Sequence, residues 1–460
     1  MSSESPWCAF AVAGVASDMP SKRTLLESLG LHRPELRAWA MYDWAASAMQ
    51  AVVMTAVFPI FYASVARSAG RVGADATKAW ADINTWTLIG IAVASPILGA
   101  IADRAPVKKK GLALFMLVGV LGTLGMFFVH EGELGLASAT FAVSLIGATC
   151  SFVFYEAMLP HLASPDEVDR VSSAGYALGY LGGGLLLAFN VVLILKPAFF
   201  GLPSGTGLTF DQSTLPARVG FVAVAVWWIG FSIFTLRGVP ETPVKDRGEG
   251  GLQIVIGAVR ELGETFRALR SHPQAFLMLG AFLIYNDGIS TIIRMATVYG
   301  SEIGLGPSDM IPAVLLVQFI GIPFAFAFGW LADKIGVKRA ILLGLAAYVG
   351  ISIQGWRMAT ARDFFVLAVL VGMVQGGTQA LSRSLFANLV PTERSGEFFG
   401  LWSVFEKFAG ILGPLFFSVA IALTGSSRTA ILGVILFFAV GGGMLMLVDV
   451  KKGREAVGRG

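Results

Sequence analysis

Charge is scarce in this chain. Only 14% of its 460 residues are Asp, Glu, Lys or Arg, and 55% are hydrophobic. A soluble globular domain carries about 25% charged residues, so the composition predicts a protein whose solvent is largely lipid. The two cysteines, Cys8 and Cys150, are too few for a disulfide framework and do not indicate a redox compartment.

Side chains that carry enzyme chemistry are also few. The four histidines, His32, His130, His161 and His272, are scattered along the sequence, and all of them fall at predicted helix ends or in loops. Metal centres and nucleophilic sites need such groups close together. The sequence therefore predicts no catalytic residues, no metal and no enzymatic activity.

Long uncharged stretches recur along the whole chain. A helix that crosses a bilayer needs about 20 largely apolar residues, and twelve stretches meet this need in full or with a short polar interruption. They are 44–66, 83–102, 111–129, 134–155, 171–195, 219–236, 274–293, 310–332, 340–356, 364–382, 398–427 and 429–448. The sequence predicts an all-α membrane protein with twelve spans and with both termini on one side.

The basic residues are distributed unevenly between the two sides. If the termini are cytoplasmic, the inner segments hold 23 of the 34 Lys and Arg residues, and the outer loops hold eight. Arg294, Arg383 and Lys407 lie within predicted spans. Cytoplasmic loops of membrane proteins are enriched in Lys and Arg, so we expect both termini to be cytoplasmic. The excess of positive charge is then explained by topology, and we expect no nucleic-acid partner.

The longest inner connection, 238–272, divides the chain into two sets of six spans. We expect a cytoplasmic tail over 1–37, a first bundle over 38–237, the linker, a second bundle over 273–450 and a tail over 451–460. Apolar residues recur in the linker at helical spacing: Val255, Val259, Leu262, Phe266 and Leu269. This stripe predicts an amphipathic helix that lies on the membrane surface or packs on the bundle.

An internal repeat relates the two sets. GAIADRAPVKKK (99–110) matches GWLADKIGVKRA (329–340) at an offset of 230 residues, and each copy follows the second span of its set. Pro160 and Pro391 match at an offset of 231, and Gly183 and Gly413 at 230. Because separate elements share nearly the same offset, we expect two similar six-helix bundles, a known plan for transporters.

The repeated pattern GxxxD(R/K)xxxxK resembles the signature loop of the major facilitator superfamily. The resemblance implies that fold and a loop that acts as a conformational latch between the two halves. It assigns that role to Gly99, Asp103, Arg104, Gly329, Asp333 and Lys334. The glycines are expected to let the helix end approach a neighbour closely, and Lys108, Lys109 and Lys110 to fix topology only.

Five further motifs are similar to one branch of that superfamily, the vacuole effluxer-like (autophagy-related) transporters and their bacterial relatives. They are YDWAASA (42–48), FYEAMLPHLA (154–163), YNDGIST (285–291), GGTQALSRSLFANLVP (376–391) and FFGLWSVFEKFAGILGP (398–414). The chain departs from the family at Ala46 and Met49, where Asn and Phe are usual. The resemblance implies transport of small solutes, with amino acids suggested by the eukaryotic members. We expect a monomer in the bacterial plasma membrane, in contact with its lipids and its solute.

Polar residues form stripes on the predicted spans that would line a central path. Charges within a span usually face an interior cavity or a partner. Asp43, Ser47 and Gln50 share one face of span 1, and Asp287, Thr291 and Arg294 share one of span 7. The candidates for solute or ion binding are Asp287, Asp43, Arg383, Lys407, Gln379, Ser47, Gln50, Thr291 and Glu156.

Among the carboxylates, Asp287 is the deepest, about 21 Å along span 7 at 1.5 Å per residue. Depth favours Asp287 as the group that binds a coupling H⁺ or Na⁺, with Asp43, a turn or two into span 1, pairing or gating at the cytoplasmic mouth. Arg383 and Lys407 favour an anionic or zwitterionic solute, although an ion pair with Glu406 or Asp43 is an alternative role. Arg294 is a candidate for snorkelling outward to water.

The function predicted is secondary active transport by alternating access. The chain contains no GxxxxGK[ST] motif, so we expect no nucleotide and no other cofactor. The alternatives are a lipid- or drug-translocating member of the same fold and a non-transporting membrane receptor.

Overall fold

The computed structural model of the chain describes residues 25–28, 31–104, 106–164, 167–241, 251–391, 398, 401–402, 404–406 and 409–458. The main helices are numbered α1–α12 in chain order. They are α1 (Pro34–Ala56 continued by Phe58–Ser68), α2 (Ala74–Arg104), α3 (Lys108–Gly125), α4 (Leu134–Leu162), α5 (Val168–Leu195), α6 (Phe210–Gly238), α7 (Pro273–Glu302), α8 (Pro307–Ile335), α9 (Val337–Arg357), α10 (Ala361–Ala387), α11 (Leu412–Thr424) and α12 (Ser427–Leu447). A linker helix, Gly251–Arg270, joins the halves, and a short helix, Val450–Ala456, follows α12.

The predicted helical membrane bundle is confirmed, but the count of twelve spans is not. Within the described residues, ten helices are long and apolar enough to cross a bilayer, and the bent α1 makes an eleventh. The remaining helix, α11, has only 13 residues, fewer than the roughly 20 that a full crossing needs. Part of the preceding segment, where the sequence predicts that span 11 begins, lies outside the described residues.

Helix α1 differs from the prediction in where it begins. It starts at Pro34, ten residues before the predicted span, and Pro34 occupies the first turn, where its missing N–H costs nothing. Asp43 is therefore about two and a half turns inside the helix rather than near its mouth. A π-helical segment, Gln50–Ala56, precedes a 42° bend and Pro59 follows it, and both features interrupt the regular hydrogen-bond ladder.

A stripe of glycines packs α5 against α1. A Cβ atom at Gly179 would lie 2.6 Å from the Ser47 hydroxyl oxygen, and one at Gly182 would lie 2.3 Å from the Trp44 carbonyl oxygen. Small residues allow two membrane helices to approach backbone to backbone. The glycines of α5 thus allow α1 to pack closely against α5 at Trp44 and Ser47.

The second half repeats features of the first. Tyr42 of α1 donates a hydrogen bond to the Ser151 hydroxyl of α4 at 2.6 Å, and Tyr285 of α7 donates to the Ser382 hydroxyl of α10. Ser151 and Ser382 are 231 residues apart, which is the offset that the sequence repeat predicts. Equivalent contacts therefore join the first and fourth helices of each half.

The signature-loop glycines do not have the expected role. A Cβ atom at Gly329 would meet nothing within 4 Å, and one at Gly99 would make an ordinary contact of 3.9 Å with Val153. The expectation of a close helix approach at these positions is wrong, since both helix ends leave room for a side chain. Asp333 and Lys334 are exposed, and Lys334 lies over the Trp330 ring at 3.8 Å. The side chains of Asp103 and Arg104 lie outside the described part of the structure.

One signature-loop lysine in each half does more than fix topology. Lys108 is fully buried and donates to the carbonyl of Ala157 near the end of α4 at 3.0 Å. Lys338 donates to the carbonyls of Met446 and Val448 at the end of α12, at 2.8 and 2.7 Å. The carbonyls of Met446 and Val448 lie at a helix end, where carbonyls carry partial negative charge and lack helical partners, so Lys338 stabilises the end of α12. Ala157 lies five residues before the end of α4, and Lys108 ties the start of α3 to that helix.

The linker helix contacts α2 of the first half and packs on the second half through part of its apolar stripe. The Phe266 ring stacks parallel to Phe405 with centroids 6.2 Å apart and contacts the edge of Phe276 at 5.5 Å. Leu269 is fully buried. These contacts support packing on the bundle for the end of the helix, whereas the side chains of Val255, Val259 and Leu262 lie outside the described residues.

The α1–α5 packing makes a prediction with a matched control. Gly182→Ala places a methyl group against the Trp44 carbonyl, and overpacking of this kind costs about 1–3 kcal/mol. We expect a lower apparent Tm for purified protein in detergent. Gly184→Ala, on the same helix with no atom within 4 Å of its Cβ position, should leave the Tm unchanged. Equal melting of the two variants would contradict the close approach of the two backbones.

Candidate functional site

A cavity of about 460 Å³ lies between the two halves. Helices α1, α4 and α5 form one wall, and α7, α8 and α10 form the other. Of the residues that the sequence proposes, five line the cavity: Asp43, Ser47, Gln50, Glu156 and Gln379. Asp287, Thr291 and Arg383 are not part of the lining, and Lys407 lies outside the described residues.

The first wall presents Asp43, held by aromatic residues. Its carboxylate accepts a hydrogen bond from the Tyr155 hydroxyl at 2.7 Å, and only 5% of the residue is exposed. The Tyr155 ring stacks on Trp39 with centroids 4.3 Å apart, and Trp39 donates through Nε1 to the Tyr155 carbonyl at 3.1 Å. The motifs around Asp43 and Tyr155 thus interlock and fix the carboxylate at the cavity surface.

Further carboxylates add negative charge to the cavity lining. Glu156, the neighbour of Tyr155, lines the cavity, and so does Glu406, which precedes α11. Tyr176 of α5 also faces the cavity and is 50% exposed, because the space is wide at this level. Carboxylates and tyrosine faces both attract cations, including organic ammonium groups.

The second wall differs from the first at the equivalent position. The helical stripes suggest that Asp287 is the counterpart of Asp43. Because Tyr42 and Tyr285 make equivalent hydrogen bonds, the structural counterpart of Asp43 is instead Asn286. Asn286 lines the cavity and accepts a hydrogen bond from Gln379 Nε2 at 3.2 Å. A neutral amide pair therefore stands where the first half has a carboxylate.

Asp287 faces away from the cavity and holds the start of α11. Its carboxylate oxygens accept backbone hydrogen bonds from Leu412 at 2.9 Å and Gly413 at 2.8 Å, and the residue is fully buried. A helix N-terminus has unpaired N–H groups and a positive dipole, so a carboxylate is stabilised there. Just before α11, Gly410 has a φ of 104°, which favours glycine.

Arg294 was not among the binding candidates that the sequence suggested. It lines the cavity. Its Nε atom lies 3.7 Å from the Cβ position of Gly410, beside Ser290, so the side chain points back toward the centre of α7. The expectation that it snorkels outward is therefore wrong, because side chains on a helix lean toward its N-terminus. Its place on the stripe of Asp287 and Thr291 was the signal that could have found it.

The cavity is closed at the end opposite the chain termini. Five hydrogen bonds between described residues join the halves there: Thr297 to the Thr55 carbonyl at 2.9 Å, Trp80 to the Arg294 carbonyl at 2.9 Å, Arg67 to the Ser301 carbonyl at 3.2 Å, Thr77 to Glu302, and Ser418 to Asp82. The cavity thus narrows from the exposed Tyr176 to the fully buried Thr297.

Solved structures of transporters share this fold. The chain superposes on a bacterial homologue of the human lysosomal transporter Spinster with a TM-score of 0.63 at 13% identity, covering 92% of this chain and 97% of that one. A D-xylose–proton symporter gives 0.63 at 14% identity over 94% and 99% of the chains. This likeness shows the fold of the major facilitator superfamily, in which two halves of helices surround a central cavity.

Sequence comparisons identify the family within this fold class. A profile described as "Vacuole effluxer Atg22 like" matches residues 87–458. An uncharacterised MFS-type transporter, YxiO of Bacillus subtilis, is 35% identical over 88% of this chain and 92% of its own length. Autophagy-related protein 22-1 of Phaeosphaeria nodorum is 22% identical over 92% and 91%. The chain belongs to the Atg22-like vacuole effluxer family, and its relatives are named as transporters rather than enzymes, as predicted.

The different partners of Asp287 and Asp43 predict different costs of neutralisation. Asp287→Asn replaces one acceptor oxygen by an NH₂ group that faces a backbone N–H, and a lost hydrogen bond to a charged group costs about 1.5–3 kcal/mol. Asp43→Asn keeps an oxygen that accepts from Tyr155. We expect the apparent Tm to fall clearly for Asp287→Asn and little for Asp43→Asn. The reverse order would show that Asp287 does not hold α11.

Proposed function

We propose that this secondary transporter moves a small zwitterionic or anionic solute, such as an amino acid, and couples that movement to H⁺ or Na⁺. The observation that carries the proposal is that the cavity lining holds charges of both signs, with Asp43 and Glu156 on the first wall and Arg294 and Glu406 on the second. A zwitterion has groups complementary to both signs. A volume of about 460 Å³ falls in the usual range of about 300–1,000 Å³ for small-molecule sites.

Alternating access gives the hydrogen bonds at the closed end a role. They hold the two halves together on one side while the cavity widens toward Tyr176. We propose that the end carrying the termini faces the cytoplasm of a bacterial cell, since the Lys and Arg residues cluster there. The conformation described is then open to the inside, and the solute leaves or enters through the wide end.

The contacts favour Asp43 as the coupling carboxylate. Asp43 lies at the cavity surface, where a proton or Na⁺ can reach it from water, and it has one hydrogen-bond donor in Tyr155. Asp287 has its oxygens on backbone N–H groups away from the cavity. That Asp287 is the coupling carboxylate, as its depth in span 7 suggests, stays a prediction. A transport measurement can test Asp43 in this role.

Transport in proteoliposomes distinguishes the two carboxylates. With a panel of labelled amino acids and an imposed H⁺ or Na⁺ gradient, Asp43→Asn should abolish gradient-driven accumulation, because no group remains to bind the coupling ion. Exchange of solute across the membrane without a gradient should persist.

Asp75→Asn, an exposed carboxylate outside the cavity, is the control and should behave like the unaltered protein. Normal accumulation by Asp43→Asn would reject its coupling role. If nucleosides, sugars or lipids move and no amino acid does, the proposed solute class is wrong.

The orientation has a direct test on intact cells. In a Cys8→Ser background, a cysteine introduced at the exposed Ser204, in the loop between α5 and α6, should react with a membrane-impermeant maleimide added outside. A cysteine introduced at Lys452, in the helix after α12, should react only after the cells are permeabilised. Labelling in the opposite pattern would invert the proposed topology.

A further inference from the structure

We infer that Arg294, oriented beside the break that precedes α11, forms an anion subsite in the cavity that takes a carboxylate of the solute. The inference deepens the proposed function and rests on it, since it assumes that the cavity receives a solute. It assigns the binding role to Arg294 rather than to Arg383 or Lys407, the residues that the sequence favours.

The position of Arg294 supports a binding role. The residue is partly buried and lines the cavity, and its Nε and Nη2 atoms lie 3.7 and 3.9 Å from the Cβ position of Gly410. A Cβ atom at position 410 would lie in ordinary contact with the guanidinium, and the positive φ of Gly410 favours glycine at this turn. Trp80 donates to the Arg294 carbonyl and fixes the backbone at this point.

The hydrogen bonding of Arg294 is incomplete. Its Nη1 atom is buried and has no hydrogen-bond acceptor among the described residues. A buried donor without an acceptor is costly, more so when it is charged. Asp287, seven residues earlier on the same face of α7, accepts hydrogen bonds from the backbone N–H groups of Leu412 and Gly413. A planar carboxylate that entered here would supply the acceptor in the bidentate geometry that guanidinium groups favour.

The local charge also favours an anion. Asp287 offsets one positive charge, while Arg294 and the N-terminal dipole of α11 both contribute positive potential. The carboxylates that face the cavity, Asp43, Glu156 and Glu406, are contributed by α1, α4 and the segment before α11. Arg383 is not part of the lining. A solute carboxylate at Arg294 would therefore leave its ammonium group free to meet the acidic wall.

Charged thiol reagents measure this potential without any solute. Ser290 lines the cavity beside Arg294, so a cysteine at that position reports on the subsite. In a Cys8→Ser background, with Cys150 buried, the rates of reaction with anionic sulfonatoethyl and cationic trimethylammonioethyl methanethiosulfonate are compared. We expect the Ser290→Cys protein to react faster with the anionic reagent. Adding Arg294→Gln should lower the anion-to-cation rate ratio by about tenfold or more, since a unit charge is lost nearby.

Two controls make the result specific. Arg294→Lys keeps the charge and should keep most of the preference for the anionic reagent. A cysteine at Thr149, which lines the opposite wall with Glu156, should prefer the cationic reagent and respond weakly to Arg294→Gln. A preference of the Ser290→Cys protein for the cationic reagent, or a ratio unchanged by Arg294→Gln, would overturn the anion subsite. Either result is independent of whether the transport assay succeeds.

Discussion

The contact between the Asp287 carboxylate and the start of α11 is the constraint on which the second half depends. A carboxylate inside a membrane bundle needs donors, and the backbone N–H groups at a helix start need acceptors. Each satisfies the other here, at 2.8 and 2.9 Å. The pairing ties α7 to α11. Arg294, beside the cavity, then has an Nη1 atom without an acceptor among the described residues.

The two halves share a plan but differ electrostatically where they face each other. Tyr155 and Phe386 are related by the repeat offset of 231, yet only Tyr155 has a hydroxyl to donate to a carboxylate. Asp43 on the first wall accordingly stands opposite the neutral Asn286 on the second. The repeat thus builds the frame, and departures from it at a few positions distribute the charges of the cavity unevenly between its two walls.

Much of the fold could be predicted from the sequence, because long apolar runs indicate membrane spans and constant offsets indicate an internal repeat. The stripe Asp43, Ser47 and Gln50 also proved to face the cavity. Asp287 and Arg294 were harder to place. A shared stripe shows that residues lie on one face of a helix, but it does not show which neighbouring helix or cavity that face contacts. The acceptor role of Asp287 depends on Leu412, 125 residues away, and no local pattern reveals that distance.

The hydrogen bonds that close the cavity contribute a free energy on the scale that a transporter can reverse. In the hydrogen bonds that join the halves at the closed end, the acceptors are three backbone carbonyls and the carboxylates of Glu302 and Asp82. Each contributes about 0.5–1.5 kcal/mol net, so together they are worth on the order of 5 kcal/mol. A ligand that discriminates between two states by about 5.5 kcal/mol can shift a two-state equilibrium from one extreme to the other. Because Arg294 and Thr297 lie on α7 one turn apart, a solute held at Arg294 sits next to these bonds, and its binding can act on the closed end directly.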